Sequence, residues 1–175
     1  VGLSLATLLA EKNFVTAVDI SEQKVQSIMN KESPIDDKLI KKYFSEKSLN
    51  LSATTDLNST HRNSDFVIVA VPTDYDPQKK YFDTSVVQSV LKKIYDLNND
   101  SVVVIKSTVP VGFTESMRKK FSTSKIIFCP EFLRESHALY DNLYPSRIIV
   151  GTDVSDSKQT QTAKSDIPLK YFEVE

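Results

Sequence analysis

The sequence predicts an α/β fold, a doubly wound parallel sheet with helices on both faces, and three observations predict it. Four apolar runs carry no polar alternation: Phe66-Val67-Ile68-Val69-Ala70-Val71, Ser101-Val102-Val103-Val104-Ile105-Lys106, Lys125-Ile126-Ile127-Phe128 and Arg147-Ile148-Ile149-Val150-Gly151. Strands read this way when both faces of a parallel sheet are covered. Between the runs lie stretches with apolar residues at helical spacing, joined by short connections, so the order is β-α-β-α. The chain has 175 residues, 40% of them hydrophobic. That suits one domain of roughly 100–200 residues with a core of its own.

The elements follow in order. Gly2-Leu3-Ser4-Leu5-Ala6-Thr7-Leu8-Leu9-Ala10 is rich in helix formers and small residues and predicts a helix starting at or just before Gly2. Phe14-Val15-Thr16-Ala17-Val18-Asp19 is a β-branched run ending in a carboxylate, hence a strand. Ser21 then caps a helix through Met29, with Val25, Ile28 and Met29 on one face and Asn30 as its stop. After Ser33-Pro34, residues 36–47 place acids in a first turn and Leu39, Ile40, Tyr43 and Phe44 on one stripe, an amphipathic helix. Pro72 ends the strand of 66–71. Asp83 caps a helix over 84–97 with Val86, Val87, Val90, Leu91 and Ile94 as its stripe, and 112–121 supplies a shorter helix. Beyond Gly151, residues 152–166 are almost free of apolar side chains, and 167–175 reads as a short last strand of the same domain. No repeat, low-complexity tract or linker interrupts the chain.

Composition removes several function classes. Lys+Arg number 22 against 23 Asp+Glu, a net charge of −1, so the simplest nucleic-acid and polybasic-membrane readings fall away. One cysteine forms no intramolecular disulfide and no Cys-based zinc site, which suits a reducing cytosol. No apolar run reaches the ~18–20 residues of a membrane span, and no basic region precedes the apolar start. His61 and His137 have no second ligand at metal spacing, so no metal is expected.

In doubly wound sheets ligands bind beyond the carboxyl ends of the strands. Asp19 stands at such an end, 17 positions after Gly2. An acid there can bond an adenosine ribose and repel a 2′-phosphate, favouring NAD over NADP, although a solvated strand-end Asp would look the same. Gly2 is the sixth position of a G-x-G-x-x-G loop whose two earlier glycines are not in the chain. The strand that should carry that loop would be central, and a central strand left out would strand buried N–H and C=O groups. The natural protein is therefore expected to begin upstream of Val1, with a Rossmann-like sheet lacking its first strand here.

The motifs resemble one family. Val1-Gly2-Leu3 is similar to the end of the G-x-G-Y-V-G-L loop of the UDP-glucose/GDP-mannose dehydrogenase family, Val15-Thr16-Ala17-Val18-Asp19 to its ribose-binding strand, and Val71-Pro72-Thr73 to its first nicotinamide-side loop. Lys106-Ser107-Thr108-Val109-Pro110-Val111-Gly112-Phe113-Thr114 resembles K-S-T-V-P-x-G-T with Phe113 inserted before Thr114. Pro130-Glu131-Phe132-Leu133-Arg134-Glu135 resembles P-E-F-L-R-E, and residues 138–147 are most similar to the bacterial UDP-glucose 6-dehydrogenase branch. The resemblance implies an NAD-binding domain over 1–151, incomplete at its N-terminus, with 152–175 closing the same domain and the central helix and UDP-binding domain absent.

It further implies oxidation of the C6 alcohol of UDP-glucose to UDP-glucuronate by two successive hydride transfers to NAD. The second transfer needs a thiol that holds the aldehyde and becomes a thioester, which water hydrolyses. The family carries that Cys in a later G-x-C-x-P-K-D segment, so the isolated chain is expected to be inactive; it is then a dinucleotide-binding module. A related GDP-mannose or UDP-N-acetylhexosamine dehydrogenase is the alternative. By the same resemblance Glu131 orients a water and assists proton transfer, a carboxylate among apolar neighbours being tunable for that work. Thr108 positions this water against the nicotinamide. Gly2, Asp19, Lys24, Thr73, Thr108 and Glu135 are the cofactor contacts, and Glu131, Phe132, Leu133, Arg134 and Glu135 form the substrate loop. The full-length protein is expected to be a cytoplasmic homodimer.

Plainer readings stand beside these. A Thr after a strand is often a helix cap, and Glu135 reads equally as a surface acid. Cys129 beside the loop is more simply a small core residue than the nucleophile. Ser136-His137 makes no triad, Lys41-Lys42 and Lys79-Lys80 are solvated faces, and Arg134 and Arg147 meet either a diphosphate or local acids.

Overall fold

A computed structural model describes residues 1–60, 64–78, 81–97, 100–134 and 137–151. The chain divides into two compact units; among the described residues one takes Val1–Thr60 with Phe132–Arg147, and the other takes those of His61–Glu131 with 148–151.

In the first unit, α1 (Gly2–Leu9), β1 (Val15–Val18), α2 (Glu22–Met29), α3 (Lys38–Glu46), β2 (Leu51–Thr54) and α4 (Leu57–Thr60) are joined by α7 (Ala138–Leu143). β1 and β2 pair in parallel, Val15 opposite Leu51 and Val18 opposite Thr54. Leu8, Ile28, Ile40, Phe44 and Leu139 form the core, so α1, α2, α3 and α7 all contribute to it. Small polar residues let α1 and α7 approach closely: the buried Ser4 hydroxyl accepts from Asn142 Nδ2 at 2.9 Å. Ser21 caps α2 as expected, accepting from the Lys24 N–H. Asp37 caps α3, its Oδ1 accepting from the Leu39 and Ile40 N–H groups and its Oδ2 from the Leu139 N–H. A helix start and a distant helix thus share one buried carboxylate, which satisfies three donors that would otherwise be left without partners.

In the second unit, β3 (Phe66–Val69), β6 (Val102–Ile105) and β7 (Ile126–Phe128) form a parallel sheet in the order β3-β6-β7. Short β4 (Asp74–Asp76) and β5 (Tyr81–Asp83) make an antiparallel hairpin. α5 (Ser85–Asp96) buries Val87, Leu91 and Ile94, and α6 (Phe113–Phe121) buries Phe113 and Met117. Gly112 precedes α6 at φ 82, a left-handed backbone that a side chain would strain. Glu115 in the first turn and Arg118, Lys119 and Lys120 in the last complement the α6 dipole.

Several expectations are corrected. Residues 147–150 form no strand: Ile148 and Ile149 are exposed, and only Gly151 bridges, antiparallel, to Phe128. A β-branched run is not a strand unless a neighbour offers it a ladder. Met29 and Val86 leave their apolar stripes for solvent. Thr84, not Asp83, is the N-cap of α5, although Asp83 Oδ1 accepts from the Ser85 N–H two positions on. The acid of the α3 cap is Asp37, with Asp36 paired outside the helix to Lys41. The expected strand over 167–175, like all of 152–175, lies outside the described residues.

Candidate functional site

At the end of β1, Asp19 Oδ1 accepts from the Ser21 N–H at 2.9 Å, and Oδ2 lies 3.6 Å from Lys24 Nζ. A parallel strand passing straight into a capped helix brings Asp19 and Lys24 side by side. The Asp19 side chain keeps 36% of its exposure. Gly2 is the first residue of α1, whose first turn carries no acid and whose N-cap makes no side-chain bond. A helix start without its own anion, and a half-exposed carboxylate at the next strand end, fit the diphosphate and ribose diol of a dinucleotide.

The described residues of the first unit that were expected to form the substrate loop are held locally. Arg134 makes a two-pronged contact with Asp141 of α7, Nε to Oδ2 at 3.0 Å and Nη2 to Oδ1 at 2.6 Å, while the Arg134 main-chain N–H donates to Oδ2 at 2.8 Å. The guanidinium and that N–H hold the Asp141 carboxyl down at about 2. Arg134 thus meets one of its two expected kinds of partner, a local acid. The Arg147 guanidinium lies 4.2 Å from the centroid of the Phe132 ring, a cation–π contact, and Leu133 is half-buried. Glu135, Ser136, His61, Lys79 and Lys80 lie outside the described residues.

In the second unit the residues beyond β3, β6 and β7 gather at the carboxyl edge of the sheet. Ser107 ties two loops: its hydroxyl accepts from the Val71 N–H at 2.9 Å and donates to the Val71 carbonyl at 2.7 Å. Half-buried Thr73 and exposed Thr108 stand on those two loops. Beyond β7, Cys129 and Glu131 meet Lys106 of β6's end. Lys106 Nζ is 3.1 Å from Glu131 Oε2 and 3.7 Å from Cys129 Sγ. The side chains of Lys106 and Glu131 are 10% and 16% exposed. The expectation of a carboxylate among apolar neighbours is corrected, because Glu131 faces an ammonium. Cys129 is buried, and that burial pushes its thiol up, with Lys106 opposing the rise. Sequence reasoning quoted Lys106 and Ser107 as motif letters without giving them work, and it missed Asp141. The available signal was a lysine directly after a run of buried strand residues, where a charge needs a partner.

Among the described residues, no group of three His, Cys, Asp or Glu could hold a metal ion, and no helix is long and apolar enough to cross a membrane.

The parallel scaffold, a helix opening at a glycine and an acid at the end of the strand that follows are those of a dinucleotide-binding dehydrogenase domain. Residues 1–165 match the UDP-glucose/GDP-mannose dehydrogenase family, NAD binding domain. The chain belongs to that family, and its cofactor is NAD. It is 52% identical over 163 residues to a UDP-glucose 6-dehydrogenase of Streptococcus pneumoniae, covering 93% of this chain and 41% of that protein. A UDP-glucose 6-dehydrogenase of Campylobacter jejuni is 50% identical, over 86% of this chain and 39% of its own length. The fold is shared with GDP-mannose dehydrogenase from Pseudomonas aeruginosa, at TM-score 0.76 and 24% identity over 93% of this chain and 41% of that one. It is also shared with UDP-D-ManNAc dehydrogenase from Pyrococcus horikoshii, at TM-score 0.79 and 21% identity over 98% and 41%.

Proposed function

We propose that the chain is the NAD-binding portion of a UDP-glucose 6-dehydrogenase, which oxidises the C6 alcohol of UDP-glucose to the carboxylate of UDP-glucuronate. The observation that carries the reading is identity of 52% and 50% to two UDP-glucose 6-dehydrogenases across most of the chain. NAD when bound supplies the hydride acceptor, twice per substrate. Asp19 and Lys24 engage the adenosine ribose, Gly2 the diphosphate, and Thr73 and Glu135 complete the cofactor contacts. Glu131 orients a water and moves its proton, and Thr108 fixes that water from the neighbouring loop. Phe132, Leu133 and Arg134 line the sugar-nucleotide side, with Arg134 acting through its bond to Asp141. Cys129 takes no part as nucleophile, since its burial leaves a substrate aldehyde no approach and disfavours the thiolate. The working protein is a cytoplasmic homodimer that takes a nucleotide sugar and no nucleic acid.

Initial rates of the full-length enzyme with NAD and UDP-glucose, GDP-mannose or UDP-N-acetylmannosamine test this. UDP-glucose should give the highest kcat/KM, and a clear preference for either other sugar overturns the substrate assignment.

A further inference from the structure

We propose that Lys106 is a positioning residue for Glu131, its ammonium fixing the carboxylate that handles the water; this rests on the role proposed above for Glu131. The backbone brings the pair together. β6 and β7 run parallel with Ile105 opposite Phe128, and the Cys129 N–H donates to the Ile105 carbonyl at 2.9 Å. Lys106 and Cys129 therefore leave the same sheet edge side by side, and Glu131 follows two residues later. Ile105 is fully buried, so the Lys106 stem starts in the core and its head reaches the edge with only 10% exposure.

A flexible four-carbon stem normally lets an ammonium wander through solvent. Here Nζ is fixed from two sides, 3.1 Å from Glu131 Oε2 and 3.7 Å from Cys129 Sγ. Oε2 is buried and has no hydrogen-bond partner among the described residues apart from this ion-pair contact. One charge thus sets where that oxygen sits, and Cys129 sets where the charge sits. Burying a lysine that only balanced a carboxylate would be a poor way to stabilise a fold, because two apolar residues do as well. A carboxylate that must point one way in a dry site does need such a partner.

The test is a mutant cycle in the full-length enzyme, with Lys106→Met, Lys106→Arg, Glu131→Gln and the Met/Gln double variant. NAD affinity by titration and thermal midpoint are measured beside kcat and KM. Lys106→Met should lower kcat by roughly 10- to 100-fold, with NAD affinity and KM for the nucleotide sugar within about threefold of wild type. Lys106→Arg should recover part of that loss, and the double variant should be no slower than Glu131→Gln alone, since Lys106 acts only through Glu131. A Lys106→Met enzyme within twofold of wild type, or a double variant slowed by the full product of the single effects, overturns the proposal. If Lys106→Met does not fold, Lys106→Arg with and without Glu131→Gln gives the same comparison. Full activity of Glu131→Gln would instead sink the role of Glu131 itself, so the two failures are separable.

Discussion

Asp19 divides its two oxygens between a main-chain N–H and an ammonium. Oδ1 accepts from the Ser21 N–H, which turns the chain into α2, and Oδ2 lies 3.6 Å from Lys24 Nζ. Loss of hydrogen bonds to a charged group is worth about 1.5–3 kcal/mol. Asp19→Ala is therefore expected to weaken NAD binding roughly 10- to 100-fold and to narrow the preference for NAD over NADP. Asp19→Asn keeps an acceptor for Ser21 and removes only the charge, so it should lose discrimination with a smaller loss of NAD affinity. Titration of both variants with both dinucleotides reads this, and unchanged affinity together with an unchanged ratio would count against the assignment. The position of Asp19 was legible because a β-branched run closes on it, while its chemistry was not, since a solvated strand-end Asp carries the same signal. Lys106 was not, since its meaning depends on Glu131, 25 positions away in the chain.

Elements were legible in proportion to their apolar content. α2, α3, α5, α6 and strands β1, β3, β6 and β7 all announce themselves by stripes or uninterrupted runs. β2, with the sequence LSAT, and the hairpin strands DYD and YFD carry too little apolar signal, and only their partners make them strands. α7 is six residues long and is fixed to its loop by the Arg134–Asp141 contact, which no periodicity reveals. That contact has a pH signature. The Asp141 carboxyl sits at about 2 in the folded chain against an ordinary 3.8, so it is the ionised form that the fold stabilises. The stabilisation is whole above the unfolded value and disappears as pH falls through about 2. Urea unfolding of wild type and Asp141→Asn should show a constant gap above about pH 5 that closes toward pH 2. A gap that persists unchanged down to pH 2 would mean that something other than the ionised pair holds the loop.

At the scale of the molecule, the ordered motifs from Val1 to Arg147 made the family readable before any coordinate, and four of them, at Asp19, 71–73, 106–108 and 130–131, stand just beyond the ends of β1, β3, β6 and β7. The 175 residues span 41% and 39% of the two UDP-glucose 6-dehydrogenases, and the one thiol in the chain is buried. The chain alone is expected to form no UDP-glucuronate from UDP-glucose and NAD; UDP-glucuronate detected by chromatography after incubation would show that it needs no thiol from elsewhere. Ser107 carries a last consequence. Its one hydroxyl bonds both polar groups of Val71, so the loop bearing Thr73 and the loop bearing Thr108 are a single stitched edge. The disorder that two separate loops would surrender on meeting a ligand has been surrendered in folding, and any ligand arriving there finds a surface with little conformational entropy left to lose.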